Sequence, residues 1–257
     1  MTTTWNPQLV SPELVALTRS LGEPAKDLVI LAEGNTSQRL PDGRIVVKTS
    51  GSNMASSVPE EFVVVDVEPI VALMNDPATT QAQLTAELDA GEHGGVRRRG
   101  SIETLIHAGV QAISPAAFIA HTHPTAVVAL LASVHAATSF EQAVYSDEVV
   151  VLGTPLYVPY AEPGIHLGRL YFERLAGYVD QHGQLPSLIL LGNHGIVAIA
   201  SSPAGAEAIS LMAVKSARVR VNAYAAGGIV GLGAEAVAHY FDRDDLAERR
   251  QTLAGTQ

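Results

Sequence analysis

The sequence predicts a layered α/β domain, and three observations carry that expectation. From Ala116 onward, strand-like and helix-like segments alternate along the chain, the pattern of helices packed on a sheet. Of the 257 residues, 47% are apolar and only 16% are charged, which supports a substantial buried core and argues against disorder. Aromatic residues make up only 5%, so alanine-rich helices and β-branched strands must share the packing. No internal repeat or low-complexity linker interrupts the chain. A single domain over 1–257 is expected, with a core at about 10–225 and a helical C-terminal tail.

The elements follow in order. Ser11 is suited to cap a first helix and Pro12 to open it, with Leu14, Val15, Leu17 and Leu21 near one face. Asp27 to Leu31 is helical or strand-like, and Glu33-Gly34-Asn35-Thr36-Ser37 is a turn. Gln38-Arg39-Leu40 and Arg44 to Lys48 flank Pro41-Asp42-Gly43, a hairpin pattern. Thr49-Ser50-Gly51-Ser52 is a small-residue loop, and Phe62 to Val67 is a β-branched strand. Residues 76–100 carry Gly91, Gly94 and Gly95 and suit a mobile connection with some helix or strand inside. Ser101 then starts an alanine-rich helix with Ile102, Leu105, Ile106 and Ile113 at helical spacing. Ala116 to His123 is a strand, Thr125 to Ser133 a helix, Val149 to Leu152 a strand, and Leu167 to Val179 a helix. Leu188 to Leu191 continues to Ile199 as strand with a turn at Gly192, and Pro203 to Ala226 is a long helix.

Charge narrows the function classes. A net charge of -10 repels a phosphate backbone, so no nucleic-acid partner is expected, although a local site can still attract a small anion. No cysteine is present, so a metal site must draw on His, Asp or Glu. No apolar run reaches membrane-spanning length and the first residues lack a signal-peptide pattern, which makes the cytoplasm the expected address.

The strongest chemical signal is Ala120-His121-Thr122-His123-Pro124. Residues two apart in a strand point to one face, so His121 and His123 project together, and Pro124 places them at a strand end. A catalytic zinc takes three protein ligands and keeps an open position. His194 is the natural third, inside Gly192-Asn193-His194-Gly195, where glycines on both sides permit a tight turn. His93, His135, His166, His182 and His239 are isolated, and isolated histidines more often pack or meet solvent. Glu103 falls early in the helix begun at Ser101. There it either stabilises the helix start or serves as an acid/base beside the metal, and taken alone the first reading is favoured.

The motifs have an informative order: Gly34-Asn35-Thr36-Ser37, Ser50-Gly51, Ser101-x-Glu103-x-x-x-His107, His121-x-His123-Pro124, Asn193-His194-Gly195. This series resembles the class II aldolase/adducin family over about residues 10–225. The resemblance implies a three-layer α/β/α sandwich around a mainly antiparallel sheet, and a homotetramer with active sites between subunits. It implies that His121, His123 and His194 bind Zn2+ (or another divalent ion such as Mn2+) and that Glu103 is the catalytic acid/base. Asn35, Ser50, Gly51 and Ser101 would bind a substrate phosphate or carboxylate. Tyr145 lies where some family aldolases place a proton donor for a neighbouring subunit's site, and a packed tyrosine at the solvent edge is an equal alternative. Ile102 departs from the fuculose-phosphate branch, which carries a second serine there, so one anion contact is missing. Lys48 and Arg97-Arg98-Arg99 are candidates to compensate, against a modestly favoured reading as solvated surface or subunit contact.

The expected activity is that of a zinc-dependent aldehyde-lyase of carbohydrate metabolism, cleaving a C–C bond of a ketose phosphate or related substrate by an enediolate (retro-aldol) mechanism. A decarboxylase or sugar-phosphate 4-epimerase on the same site is the alternative, and a non-enzymatic adducin-like binding protein is the distant one.

Overall fold

The computed structural model describes residues 2–241, 243–246 and 248. The chain begins with a short strand β1 (Thr3–Thr4) and helix α1 (Pro12–Leu21). Ser11 Oγ accepts the Leu14 N–H at 3.1 Å and Pro12 occupies the first turn, so α1 starts as its sequence predicts. Strands β2 (Asn35–Arg39), β3 (Ile45–Lys48) and β4 (Phe62–Val65) follow, then helices α2 (Val67–Asn75) and α3 (Gln81–Glu87). A separate hairpin, β5 (Asp89–His93) and β6 (Val96–Arg99), leads into α4 (Thr104–Ile113). Next come β7 (Phe118–Thr122), α5 (Thr125–Leu131), α6 (Ser146–Leu152), β8 (Leu156–Val158) and α7 (Ile165–His182). The hairpin β9 (Leu188–Leu191) and β10 (Gly195–Ala200), the long α8 (Pro203–Ala225) and α9 (Ala234–Phe241) complete the described elements.

The main sheet has the order β1-β4-β3-β2-β7-β10-β9-β8. Its neighbours pair antiparallel except β8 with β9. The two-residue period of the strands divides the core. Val46, Val64, Ala120 and Ile196 pack toward α1, α5 and α8, while Val47, Val63, Ile119 and Val197 pack toward α2, α4 and α7. The result is helix, sheet, helix in three layers, as the motif series implied. Among the described residues no helix is long and apolar enough to cross a membrane.

Several local expectations are corrected. Asp27 to Leu31 holds neither a strand nor an α-helix; Asp27 and Leu31 both adopt positive φ. The supposed turn at Asn35 is the start of β2, because Asn35 to Gln38 pair with β7. Residues 76–100 hold the helix and strand expected inside them, as α3 and the β5–β6 hairpin; Gly94 and Gly95 form the hairpin turn at positive φ, and Gly91 sits at a register irregularity in β5. Val149 to Leu152 is the end of α6, not a strand. A short β-branched run cannot be distinguished from buried helix by periodicity, and here Glu148 in the same turn pairs with the buried Arg220 of α8. The expected helix at Ser101 begins three residues later, at Thr104. Of the expected helical tail, α9 and a short turn over 243–246 are described; residues 242, 247 and 249–257 lie outside the described residues.

Gly34 explains how the chain enters β2. Its φ is +70°, and a Cβ there would lie 2.7 Å from Val29 Cγ1 and 2.8 Å from the carbonyl oxygen of His121. Gly34→Ala combines left-handed strain with a backbone collision and should cost roughly 2 kcal/mol or more in a urea-unfolding measurement. An unchanged midpoint would show that the loop relaxes freely around the added methyl.

Candidate metal centre

His121 lies in β7, His123 immediately beyond its end, and His194 in the turn from β9 to β10. Antiparallel register places Val197 opposite His121 and Ile196 opposite Thr122, which carries the turn alongside His123. Asn193 makes the turn at φ 52°, a conformation asparagine tolerates. Gly195 allows the close approach: a Cβ on it would lie 2.8 Å from the His123 ring. The three imidazoles form a near-equilateral triangle, with centroids 4.7, 4.9 and 4.9 Å apart.

Glu103 closes the triangle. It occupies the position just before α4, but its side chain makes no cap and turns to the histidines. One carboxylate oxygen lies 2.8 Å from His194 Nε2 and the other 3.3 Å from His121 Nε2. One ligand atom from each of Glu103, His121, His123 and His194 falls within 4.8 Å of the others. His121 Nδ1 donates to the Ile196 carbonyl at 2.9 Å, which turns Nε2 inward as a ligand atom. His123 Nε2 faces His121 Nε2 at 2.9 Å. Two ring nitrogens aimed at one point, with a carboxylate beside them, fit a divalent cation of the zinc or manganese kind.

Charge is distributed accordingly. Burial alone would lift Glu103, but the neighbouring His121 and His194 hold its carboxyl well below the usual range. Burial likewise disfavours charge on His121, and Glu103 outweighs it, raising the imidazole above its ordinary value. Burial and the facing His121 and His194 push His123 down to about 3, so it presents a neutral imidazole at physiological pH.

The anion-binding candidates divide. Asn35 is buried in β2 opposite His121, and its Nδ2 donates to Glu103 Oε2 at 2.9 Å and to Ser101 Oγ at 3.3 Å. Ser101 Oγ also accepts the Glu103 N–H at 3.3 Å, so Ser101 shapes the bend before α4 without capping it. Ser50 and Gly51 are exposed; the Ser50 N–H is committed to the Arg99 carbonyl at 2.9 Å, and Gly51 at φ +82° has open space around it. Tyr145 is not in this cluster. Its hydroxyl approaches Met212 Sδ at 2.7 Å and Ser216 Oγ at 3.4 Å on α8, and burial raises its pKa.

Lys48 corrects the surface reading. It is 1% exposed, its Nζ donates to the Thr49 carbonyl at 3.2 Å, and burial pushes it down to about 8 against the pull of Glu61 and Glu103. Arg97 is exposed and pairs with Asp89, in line with a solvated face. Of the isolated histidines, His93, His135 and His182 stack on Trp5, Tyr224 and Tyr178.

Three residues at the site were not singled out for a role by sequence: Glu33, Ser37 and His107. Glu33 Oε2 lies 3.7 Å from His123 Nδ1. Ser37 Oγ and Asn35 Oδ1 contact the two ring nitrogens of His107 at 2.6 and 2.5 Å. The available signal was spacing: Asn35 and Ser37 are two apart on a strand, and His107 is one helical turn after Glu103.

His107 gives a pH dependence. Burial first, then the His121 charge, push its pKa down to about 3, with Glu103 opposing. Above the unfolded value of about 6.5 the ring is neutral in both states and contributes no slope. Below it the unfolded chain binds a proton that the folded protein refuses until about pH 3. Stability therefore falls on acidification through this window, by roughly tenfold in the folding equilibrium per pH unit. Urea unfolding between pH 7 and 4 should be steeper in pH for the native sequence than for His107→Phe; equal slopes would refute the assignment.

Comparison with known proteins gives a family and a fold. The family described as Class II Aldolase and Adducin N-terminal domain matches residues 12–221. No curated protein sequence gives a significant match. Among solved structures, YgbL from Klebsiella pneumoniae, a putative aldolase/epimerase/decarboxylase, is 21% identical with a TM-score of 0.66, covering 91% of this chain and 99% of that one. The L-fuculose-1-phosphate aldolase of Thermus thermophilus is 20% identical with a TM-score of 0.60, covering 84% and 98%. The N-terminal class II aldolase domain of a Thermoplasma acidophilum protein is 22% identical with a TM-score of 0.61, covering 81% and 92%. At these identities the solved structures speak to the fold alone.

Proposed function

Because the chain belongs to the class II aldolase and adducin family, we propose that it is a divalent-metal-dependent lyase that cleaves a C–C bond of a ketose phosphate or related hydroxy-keto substrate by a retro-aldol route. The observation that carries this reading is Glu103, a buried carboxylate set against His121 and His194 at 3.3 and 2.8 Å. Zn2+ is the preferred ion for His121, His123 and His194, with Mn2+ as the alternative. When bound, the cation supplies a Lewis acid for the substrate's carbonyl oxygen.

The chain's own groups do the rest. Glu103 delivers a proton to the carbon left when the C–C bond breaks, and removes it in the synthesis direction. Asn35 steadies that carboxylate, and Ser101, which accepts from Asn35 Nδ2 and from the Glu103 N–H, turns its hydroxyl hydrogen to the substrate. Ser50, Gly51 and the buried ammonium of Lys48 bind the substrate's anionic group, with Lys48 replacing the contact that Ile102 cannot make. Tyr145, supplied by a neighbouring copy in a homotetramer, takes up the hydroxyl proton as the aldehyde forms and departs, and returns it to the aldehyde oxygen in the synthesis direction. We place the protein in the cytoplasm, as one domain over 1–257.

YgbL's description as aldolase/epimerase/decarboxylase keeps the second reading, a decarboxylase or 4-epimerase on the same groups. The set of three histidines and Glu103 ranks both above an adducin-like binding role. Incubation of the metal-loaded protein with ketose phosphates and keto acids should release an aldehyde. Carbon dioxide without aldehyde would replace the reading by a decarboxylase, an epimeric sugar phosphate by an epimerase, and no turnover on any substrate would remove it.

A further inference from the structure

We propose that His107, backed by Ser37, is a positioning residue that fixes the amide of Asn35 so that its NH2 group faces Glu103. The proposal rests on the reading of Glu103 as acid/base, and its geometry comes from two elements. Asn35 and Ser37 share one face of β2. His107 stands one turn along α4 from Glu103 and is fully buried.

The direction of each hydrogen bond follows from the chemistry of the end groups. Glu103 is a carboxylate and can only accept, so the Asn35 atom 2.9 Å from Glu103 Oε2 must be the NH2 nitrogen. Asn35 Oδ1 is then the atom facing His107 Nε2 at 2.5 Å, and a carbonyl oxygen can only accept. Nε2 must therefore carry the hydrogen. In a neutral imidazole this leaves Nδ1 bare, and the Ser37 hydroxyl 2.6 Å away donates to it. One polarity runs through the whole chain, from Ser37 through His107 and Asn35 to Glu103. Burial, which holds the His107 ring neutral, keeps that tautomer unambiguous.

Without His107, the Asn35 amide loses the donor that holds its oxygen away from Glu103. Rotation by half a turn would then set Oδ1 against the carboxylate, repelling it from its place beside His121 and His194. A histidine serving only to fill the core would show none of this coupling. Its loss would lower stability and nothing more.

The test has two arms on the full chain loaded with zinc. His107→Phe keeps the ring volume and removes the donor, while His107→Gln keeps a donor amide. Given a substrate that the native protein turns over, His107→Phe should lower kcat by about 10-fold to 100-fold, with KM and zinc affinity nearly unchanged. His107→Gln should recover much of the loss. His107→Phe combined with Asn35→Ala should cost no more than Asn35→Ala alone. Additive losses, or equal losses in the Phe and Gln variants, would overturn the proposal. The second arm needs no turnover or substitution: histidine-labelled native protein should show His107 as the Nε2–H tautomer in nitrogen-15 spectra. An Nδ1–H tautomer overturns the proposal. A protein that turns over no substrate but shows the Nε2–H form removes the lyase reading and leaves the arrangement of His107 and Asn35 standing.

Discussion

Glu103→Gln is expected to lower kcat by about 100-fold to 10,000-fold while divalent metal stays bound. The substitution keeps shape and volume. Its amide oxygen can still accept from Asn35 Nδ2, now 2.9 Å from Glu103 Oε2, and its NH2 can face His194. What disappears is a group able to exchange a proton with carbon. Metal retention follows because three imidazoles remain, and three protein ligands are the usual number for a catalytic zinc. The effect should therefore fall on kcat far more than on metal content, measured by turnover alongside elemental analysis. Full activity with full metal would remove Glu103 from the chemistry. Loss of the metal together with activity would make Glu103 chiefly a ligand. Glu103→Asp separates these further: it keeps an acid but withdraws it by one methylene from histidines 2.8 and 3.3 Å away, so partial activity is expected.

The site was legible where chemistry needs a particular residue at a fixed period. His121 and His123 flank one residue at a strand end, and the strand geometry that makes them converge is a local property. His194 became legible through its setting between Gly192 and Gly195; the close approach of Gly195 to His123 is the physical reason a small residue stands there. Helix α1, with its Ser11-Pro12 start and apolar face, was equally clear, and the long α8 was read at nearly its full extent. What failed was fixed by tertiary partners. Val149 to Leu152 has the composition of a strand, but the buried Glu148–Arg220 pair belongs to a helix packed on α8. Lys48 sits where a strand's alternation says little about a charged end, and its burial depends on the loop and hairpin folded over it. His107 stood inside the recognised motif, yet its purpose shows only when β2 is laid against β7 and α4 is packed on both.

His121→Ala, His123→Ala and His194→Ala are each expected to lower metal affinity by more than about 100-fold, beyond the loss typical of removing a supporting partner. Their stability costs should differ, and that difference separates a ligand from a packing residue. The His121 side chain is 0% exposed and bonded to the Ile196 carbonyl, whereas His123 and His194 are 20% and 12% exposed. His121→Ala leaves a buried carbonyl without its donor and a cavity in the sheet, which together cost on the order of 3 kcal/mol. The other two open toward solvent and should cost about 1 kcal/mol or less, as changes away from the core do. A ligand bound only by the folded state raises the melting temperature by mass action, about 2.7 kcal/mol at a hundredfold excess over Kd. The native protein should show that rise when zinc is added, and all three variants should lack it, whatever their starting stability. A zinc-dependent rise in His194→Ala equal to the native one would mean that the β9–β10 turn contributes no ligand. In that case His121, His123 and Glu103 would have to hold the ion with a partner not yet identified.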